Sequence, residues 1–495
     1  MRFYSQIDYY RSGTTIATAP RFNQAATIRG DFSSESQACP SESRVRGDEG
    51  GNPTDLTSPQ NMTKRLLIFR FLALFSASIF VGTSHAKDLE LWFIPMSQDG
   101  PAKGPLTKWV SENVPKLLPG VTLANNYGPP IYQDAQQKLI VQGRRGKPDV
   151  IEAVLEGMIA YQKAGLIAPI DTEFDKWADK AQFIPSTIKA LTINGKLYGV
   201  PYNTNVRVLV YRKDLFQKYG IEAPKTWDDL VKDAALISSK EDGVAGLGLT
   251  TKNGSVRTFQ EFISFFFQVN GGENPFKYNE SSKKWEMNTT PEKLAQVLKL
   301  YQDVFFAGTP SGANQNTRGN DYQATDTDYV SGKSAMVPMG PWLYSYRLTG
   351  DTAKKILEEE TGVAPLPLPT GGTQATYLEV KPLLINAASK DKQDAWALIK
   401  ILASKDFVAL DNQTEGVNPP RKDVAELPEF KDNWWQQAFS SQLSTGVALA
   451  AINWGYVIND ITEAIQKVIY KNSTPEEAGK ALYSTLEKRA TDNQL

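Results

Sequence analysis

Aromatic side chains stand at turns and at the ends of predicted elements in this sequence. Four of them are Trp342 after a Gly-Pro pair, Trp454 in Asn-Trp-Gly-Tyr, Tyr202 after a proline, and Tyr132 at the start of a helical pattern. An aromatic ring stacks on the apolar C–H face of a sugar, while amide, carboxylate and guanidinium groups bond its hydroxyls. A single aromatic residue is more often part of a core, but the four together suit a sugar-binding cleft.

Histidine and cysteine chemistry is excluded from most of the chain. The only histidine is His85 and the only cysteine is Cys39, so neither residue type follows position 86. A Ser-His-Asp triad, a Cys-His dyad and a zinc site with His or Cys ligands therefore cannot form there. A secreted glycosidase stays open as an alternative, because it needs only two carboxylates and acidic residues are plentiful.

Two further motifs are weak. Gly332-Lys333-Ser334 has the end of a phosphate-binding loop, but position 327, where that loop needs glycine, is threonine. Asp321, Asp326 and Asp328 are candidates for calcium contacts. The spacing and central glycine of a calcium loop are absent, so a solvated acidic turn is the better interpretation. We therefore predict neither a metal site nor a cofactor.

Length and charge define the class of protein. A chain of 495 residues exceeds the roughly 300 residues that one hydrophobic core supports, so at least two domains are expected. The net charge is −1 for the whole chain, and residues 87–495 hold 45 basic and 48 acidic residues, a net charge of −3. This near-neutrality argues against nucleic acid or an anionic membrane as a partner.

Residues 62–86 predict a secretory signal peptide. They combine a basic start, an apolar core from Phe71 to Val81 and a small-x-small cleavage site at Ser84-His85-Ala86. A membrane anchor is the weaker interpretation, because the apolar run is shorter than the roughly 20 residues that span a bilayer. Residues 1–61 are polar, and we interpret them as a non-structural extension upstream of a true start at Met62. The exported protein is expected in the periplasm.

The elements that must position these side chains begin with an α/β pattern. The predicted order is strand, helix, strand, helix, strand, at residues 89–94, 103–117, 121–124, 132–142 and 148–151. This alternation predicts a parallel sheet covered by helices, in which ligands bind beyond the carboxyl ends of the strands. Gln98 and Glu152 follow two of these strand ends, so we expect them near a cleft.

The stretch from Gly195 to Phe216 predicts a crossing between two lobes. A β-favouring run up to Tyr202 precedes the polar residues 203–205, and a second apolar run, residues 206–211, suits a buried strand. We therefore expect a bend at residues 203–205, facing the cleft. Arg207, the one charge in the second run, has three open roles: a ligand contact, a tie between the lobes, or a solvent-exposed side chain.

Six short segments occur in the order seen in one protein family. They are Pro-Asp-Val at 148–150, 195–216, 224–230, the segment 332–342 with its Gly-Pro-Trp turn, Ala-Ala-Ser at 387–389, and Trp454 ahead of a terminal helix. Together, and behind a signal peptide, they cover essentially all of residues 87–495. The chain resembles the extracellular solute-binding proteins of ABC importers, in the carbohydrate-binding group that includes maltose-binding protein.

The resemblance implies an α/β, two-lobed periplasmic-binding-protein fold, with a ligand cleft between lobes that are joined by hinge crossings. On this basis we assign residues 87–204 and 377–417 to an N-terminal lobe, and residues 205–376 and 418–495 to a C-terminal lobe. The implied function is capture of a carbohydrate or polyol by hinge closure and delivery to the membrane permease of an ABC importer. A monomer without enzymatic activity is expected.

The resemblance also implies ligand contacts. Trp342 and Trp454 match tryptophans that stack on the ligand. Glu152 and Asn203 match positions that often bond it. With the residues that the sequence pattern places near the cleft, the predicted set is Trp342, Trp454, Tyr202, Asn203, Glu152, Tyr132, Gln98 and Arg421. Residues 378–382 replace a glycine-rich approach found in many members, which leaves the local cleft wall and the ligand size open.

One alternative of the same fold is a glycerol-phosphate-binding protein. It would need cationic side chains that converge on phosphate, and the candidates are Arg207, Arg318 and Arg421. The secreted glycosidase is the less favoured alternative, since no sequence feature requires it.

Overall fold

The structure, a computed structural model, describes residues 87–124 and 126–495. The predicted upstream extension and signal peptide, residues 1–61 and 62–86, lie outside the described residues, as do Cys39 and His85. In the part of the chain that the structure describes, we find no helix with the length and apolar character needed to cross a membrane.

Strands and helices alternate along the described chain. The strands are β1 Lys87–Leu89, β2 Leu91–Trp92, β3 Val121–Leu123, β4 Val150–Glu152, β5 Thr192–Ile193, β6 Lys196–Leu197, β7 Gly199–Val206, β8 Val208–Arg212, β9 Phe276–Asn279, β10 Lys284–Met287, β11 Met336–Met339, β12 Thr361–Ala364, β13 Thr376–Ile385 and β14 Gly446–Val447. The α-helices are α1 Ile94–Ser97, α2 Lys103–Leu117, α3 Tyr132–Gln142, α4 Leu155–Lys163, α5 Asp171–Asp175, α6 Pro185–Ala190, α7 Lys213–Tyr219, α8 Trp227–Lys240, α9 Val256–Val269, α10 Pro291–Phe306, α11 Tyr322–Val330, α12 Asp351–Lys355, α13 Lys392–Leu402, α14 Lys405–Glu415, α15 Lys422–Ala425, α16 Pro428–Lys431, α17 Trp434–Ser440, α18 Trp454–Ile469 and α19 Pro475–Thr491. A 3-10 helix at Pro341–Leu348 follows β11.

Two sheets organise these elements. The larger has the strand order β14-β13-β4-β2, and β7 also pairs with β13. In it β2 runs parallel to β4, whereas β13 is antiparallel to β4 and β7. The second sheet has the order β11-β8-β12, with β8 antiparallel to both neighbours. The predicted α/β architecture is confirmed, but the larger sheet is mixed and not parallel as predicted, because β13 enters it antiparallel to β4 and β7.

Strand β8 contributes to two hydrophobic cores. Val208 and Val210 pack in the core that includes β2 and β4, whereas Leu209 packs in the core formed by α9, α10 and α18. Successive side chains of a strand point to opposite faces, so a single strand can serve both cores. The segment that follows β7 therefore joins one core to the other.

The N-terminal elements agree with the predicted pattern, except at the first strand. Helices α2 and α3 have the predicted bounds. The predicted strand 89–94 is instead divided into β1 and β2 and ends at Trp92. Pro95 occupies the first turn of α1, where a proline is favoured because its missing N–H would have no helical partner.

The predicted bend at residues 203–205 is wrong. These residues continue β7, and the strand is interrupted only at Arg207. β13 pairs with all three of them, and Thr204 Oγ1 donates a hydrogen bond to the Glu379 carbonyl at 2.8 Å. Pairing with a distant strand thus extends β7 through polar residues whose local composition predicts a turn.

Candidate functional site

A cavity of about 240 Å³ is lined by β13 of the larger sheet and by several helices. We call the lining from residues 94–102, the start of α3, β13 and Glu415 at the end of α14 the first wall. We call the lining from α9, α11 and the 3-10 helix the second wall, and Arg207 also lines the cavity. Side chains from distant segments of the chain therefore converge on one space.

Charged side chains hold Trp342 in the second wall. The guanidinium groups of Arg207 and Arg257 lie over its indole, with Cζ atoms 4.6 and 4.7 Å from the ring centroid. The Trp342 Nε1–H donates to Asp326 Oδ2 at 3.1 Å. Position 340 requires glycine, since a Cβ on Gly340 would lie 1.7 Å from the same indole. Cation–π contacts and a hydrogen bond to a carboxylate therefore fix the indole within the cavity wall.

Arg207 is 1% exposed and ties together the segments around the break between β7 and β8. Its Nη2 donates to Glu379 Oε2 at 2.9 Å, and the guanidinium also bonds Asn205 and Gln260. Gln260 Nε2 in turn donates to Glu156 Oε1 at 2.9 Å. Burial opposes ionisation of Glu379, but Arg207 helps to hold the pKa of that carboxyl below its ordinary value. Of the three roles left open for Arg207, solvent exposure is excluded.

Glu152 accepts hydrogen bonds behind the first wall. Its Oε1 accepts from the hydroxyls of Tyr132 at 2.6 Å and Tyr202 at 2.5 Å, and its Oε2 accepts from the Ile94 N–H at 2.7 Å. Burial and the Glu152 charge raise the pKa of both tyrosines well above their ordinary value. Both hydroxyls therefore stay protonated. Tyr132 lines the cavity, whereas Tyr202 is fully buried.

Lys381 and Glu415 line the cavity and interact electrostatically. Lys381 Nζ lies 5.0 Å from the centroid of the Tyr132 ring. Within residues 87–124 and 126–495, neither side chain has a hydrogen-bond or ion-pair partner. Burial works against the Lys381 charge, yet the surrounding carboxylates raise its pKa. Burial raises the pKa of Glu415 to about 7, and Lys381 opposes that shift.

Asp326 and Arg257 have unused hydrogen-bonding capacity beside Trp342. Both are buried, and both line the cavity. Burial raises the pKa of Asp326 to about 6, although Arg257 and the Trp342 N–H oppose the shift. Among the described residues, Asp326 Oδ1 and Arg257 Nη1 have no hydrogen-bond partner. Within the described part of the chain, the second wall thus holds one carboxylate oxygen and one guanidinium nitrogen that lack a partner, and both atoms are themselves buried.

Three of the eight predicted contacts line the cavity: Trp342, Tyr132 and Gln98. Gln98 Nε2 donates to the Tyr322 hydroxyl at 3.2 Å, which links the first wall to the second. Glu152 lies behind the cavity lining, where its carboxylate accepts the hydrogen bond of Tyr132 and holds that side chain in place.

The structure places the other predicted residues elsewhere. Asn203 is fully buried in β7, opposite Lys381 in the register with β13. Arg421 is buried and pairs with Asp179 at 3.0 Å and Asp423 at 2.7 Å. The cavity does not include either side chain.

Trp454 packs in the second core. Its ring centroid is 5.2 Å from Phe259 and 6.3 Å from Phe276, and its Nε1–H donates to the Ala450 carbonyl at 2.9 Å. The side chain is 1% exposed and does not line the cavity. Trp454 therefore contacts the second hydrophobic core and not the cavity.

Replacing Trp454 with phenylalanine is expected to reduce stability but not ligand affinity. The smaller ring loses the bond to Ala450 and leaves a void among Phe259 and Phe276, so the free energy of unfolding should fall by about 2 kcal/mol. Urea unfolding measures the stability, and calorimetric titration measures the affinity. A tenfold loss of affinity with unchanged stability would instead place Trp454 against the ligand.

Several residues of the cavity were not singled out from the sequence as ligand contacts. They are Arg257, Gln260, Glu379, Lys381, Glu415 and Asp326, the last of which is a calcium candidate in the sequence analysis. Lys381 and Glu379 lie in the stretch 378–382, whose departure from the family pattern was noted. The remaining residues are single polar positions in helices, which carry no local signal.

The three arginines of the phosphate alternative do not converge. Only Arg207 lines the cavity, where it is paired with Glu379. Arg421 is paired elsewhere, and Arg318 lies over Phe306 with its Cζ 5.2 Å from the ring centroid. In the described residues, no group of three or more His, Cys, Asp or Glu side chains is arranged to hold a metal ion.

Glu415 is expected to make stability fall as pH rises from about 4.5 to 7. Folding raises its pKa from 4.5 to about 7, so in this window the folded state retains a proton that the unfolded chain has lost. Asp411, Glu152 and Lys381 face the same group, and burial raises the pKa of Asp411 as well. Against Glu415→Gln, the native protein should lose about 2 kcal/mol of relative stability across the window. Urea unfolding at several pH values measures it, and a pH-independent difference would contradict it.

The fold is that of the two-lobed periplasmic binding proteins. The GacH receptor of Streptomyces glaucescens, solved unliganded and with acarbose, superposes with a TM-score of 0.70 at 21% identity, over 82% of this chain and 99% of that chain. An ABC transporter solute-binding protein from Agrobacterium vitis with bound D-mannitol superposes with a TM-score of 0.66 at 21% identity, over 83% and 99%. These likenesses establish the fold.

Sequence comparison gives the family. The profile of the bacterial extracellular solute-binding proteins matches residues 120–438. A putative binding protein of Brucella abortus is 28% identical over 374 residues, 74% of this chain and 85% of the relative. The mannitol-binding protein of Pseudomonas aeruginosa is 25% identical over 268 residues, 54% and 57% of the two chains. The chain belongs to the bacterial extracellular solute-binding protein family.

Proposed function

We propose that this protein captures a carbohydrate or polyol in the cavity between its two walls, for import by an ABC transporter. The observation that carries the proposal is the fixed indole of Trp342 in a cavity rich in paired charged groups. An aromatic surface suits the C–H faces of such a ligand, and carboxylate and guanidinium groups suit its hydroxyls. The relatives named for mannitol support this ligand class.

The pairing of the two cavity guanidinium groups with carboxylates supports an uncharged ligand. Arg207 is matched by Glu379, and Arg257 Nε donates to Glu261 Oε1 at 2.8 Å. Each guanidinium is therefore neutralised before a ligand enters. A phosphate would have to compete with these buried carboxylates, which argues against the glycerol-phosphate alternative.

Hinge closure is the proposed mechanism. One hydrogen bond already links the walls, from Gln98 to Tyr322, and a second ties Gln260 of the second wall to Glu156 of α4. A ligand that contacts both walls binds the closed arrangement more tightly than the open one, and shifts the population by that difference in affinity. The residues on either side of Arg207 are the proposed first hinge, where β7 passes into β8.

The rest of the assignment follows from the same class. The proposed lobes are residues 87–204 with 377–417, and residues 205–376 with 418–495. A monomer in the periplasm, exported by residues 62–86, would deliver its ligand to the membrane permease without catalysing a reaction. Trp342, Tyr132 and Gln98 are the proposed contacts among the residues predicted from sequence.

Native mass spectrometry of the purified protein tests the proposal. We expect an adduct whose mass equals that of a neutral sugar or polyol, or, for ligand-free protein, a change in tryptophan fluorescence on titration with at least one member of a sugar and polyol panel. No response to any member, or turnover of an aryl glycoside, would contradict the proposal. Salt-sensitive binding of a phosphorylated ligand would favour the glycerol-phosphate alternative.

A further inference from the structure

The two walls of the cavity carry the same pair of chemical groups. In the second wall, Arg257 and Asp326 stand beside Trp342, and each has a polar atom without a partner among the described residues. In the first wall, Lys381 and Glu415 line the cavity, and neither is hydrogen-bonded within the described chain. Each wall therefore holds one cationic side chain and one carboxyl group.

Such a pair matches two adjacent hydroxyl groups. One hydroxyl accepts a hydrogen bond from the cation, and its neighbour donates one to the carboxyl. A single charged group on the ligand would satisfy one member of the pair and repel the other. The chemistry of each wall therefore favours an uncharged diol over an acid, an amine or a phosphate.

The groups around Lys381 determine the net charge at this end of the cavity. Glu379, Glu152, Glu415 and Asp411 all act on its ammonium group, and Tyr132 lies beside it. Burial raises the pKa of Asp411, and it raises the pKa of Glu415 to about 7, so the Glu415 carboxyl is partly protonated near neutral pH. Partial protonation leaves a carboxyl that can donate or accept, which a hydroxyl can match in either direction.

We propose that Lys381 and Glu415 form a second ligand subsite, opposite the Trp342 wall, that binds two adjacent hydroxyls of an uncharged sugar or polyol. The ligand then bridges the cavity, with one diol on Arg257 and Asp326 and a second diol on Lys381 and Glu415. This inference rests on the proposed function and adds the ligand's chemical form: at least four hydroxyls in two adjacent pairs, and no ionic group.

Calorimetric titration of the purified protein with matched ligands is the first arm of the test. The panel contains hexoses and hexitols, their deoxy analogues at each end, and the corresponding amino sugars, sugar acids and phosphate esters. We expect the neutral parent to bind best, and loss of one hydroxyl at either end to weaken binding about 10- to 100-fold. A charged analogue that binds tenfold more tightly than its neutral parent would overturn the inference.

Variants of the first wall form the second arm. Lys381→Met and Glu415→Gln should each weaken the neutral parent about 10- to 100-fold. The deoxy analogue that lacks the hydroxyl at that end should lose less than about threefold in affinity for the same variants. The substituted side chain has no hydroxyl to bond in that analogue, so its replacement has little further effect. Lys480→Met and Glu476→Gln, exposed positions on α19, are matched controls expected to leave affinity unchanged.

The outcomes separate the two proposals. If native protein binds no member of the panel, the proposed function fails and the subsite fails with it. If the parent binds but the Lys381 and Glu415 variants stay within about threefold of native affinity, the function stands and the subsite is overturned. Thermal unfolding of each variant shows whether it folds, and the ligand series on native protein tests the diol requirement without any substitution.

Discussion

Replacing Trp342 with alanine is expected to lower ligand affinity by about 100-fold or more. The substitution removes the aromatic surface, and it also deprives Asp326 of the N–H that it accepts at 3.1 Å. The guanidinium groups of Arg207 and Arg257 both lie within 4.7 Å of the indole centroid, so each loses a cation–π contact. Calorimetric titration with the ligand found by mass spectrometry measures the loss.

The control for this substitution is Trp285→Ala. Trp285 lies on β10 and packs against Tyr278, with ring centroids 5.4 Å apart, and it does not line the cavity. The Trp285→Ala variant should bind ligand as tightly as the native protein does. Native-like affinity in the folded Trp342→Ala variant would show that the indole is not part of the ligand site.

Replacing Arg207 with methionine is expected to lower the free energy of unfolding by about 3–5 kcal/mol. Glu379 is only 4% exposed, and Arg207 provides its buried ion pair. Without the guanidinium, a carboxylate is left buried without its counter-ion, while Asn205 and Gln260 each lose a donor. Urea unfolding measures the change, with Arg318→Met as the matched control at a partly exposed cation outside the cavity.

A second substitution separates a broken ion pair from lost packing. Arg207→Met combined with Glu379→Leu removes both charges, so it should recover part of the stability lost in the single variant. If the double variant is less stable than Arg207→Met alone, the pair is not the source of the loss. Ligand binding should be weakened in both variants, because both residues line the cavity.

Local sequence patterns predicted the helices well where buried apolar residues recur at helical spacing. Helices α2 and α3 have the predicted bounds, and in α2 the apolar positions Leu106, Val110 and Val114 form the buried face. The resemblance drawn from six ordered segments predicted the fold and the family, which the comparisons confirm. Both kinds of signal depend on short stretches of sequence whose residues act together.

The strand pairing around Arg207 could not be predicted from the same patterns. Residues 203–205 are polar, and their place in β7 depends on β13, which follows about 175 positions later. The pairing buries Thr204 and Asn205 with their backbone bonds satisfied, so the polar composition no longer indicates a turn. Sequence alone cannot reveal a partner strand at that separation.

The composition of the cavity shows the same limit. Trp342 was identified because its Gly-Pro turn is a local feature, and Tyr132 because it opens a helix. Asp326 and Glu415 lie on separate helices, and only the fold brings them to one cavity. Their place in the cavity therefore could not be predicted from the sequence and is known only from the structure.

A crystal structure of the ligand complex tests the central claim most directly. We expect an uncharged sugar or polyol in the cavity, in contact with Trp342 and hydrogen-bonded to Arg257 and Asp326 on one wall and to Lys381 and Glu415 on the other. A ligand bound outside this cavity, or one that contacts a single wall, would contradict it.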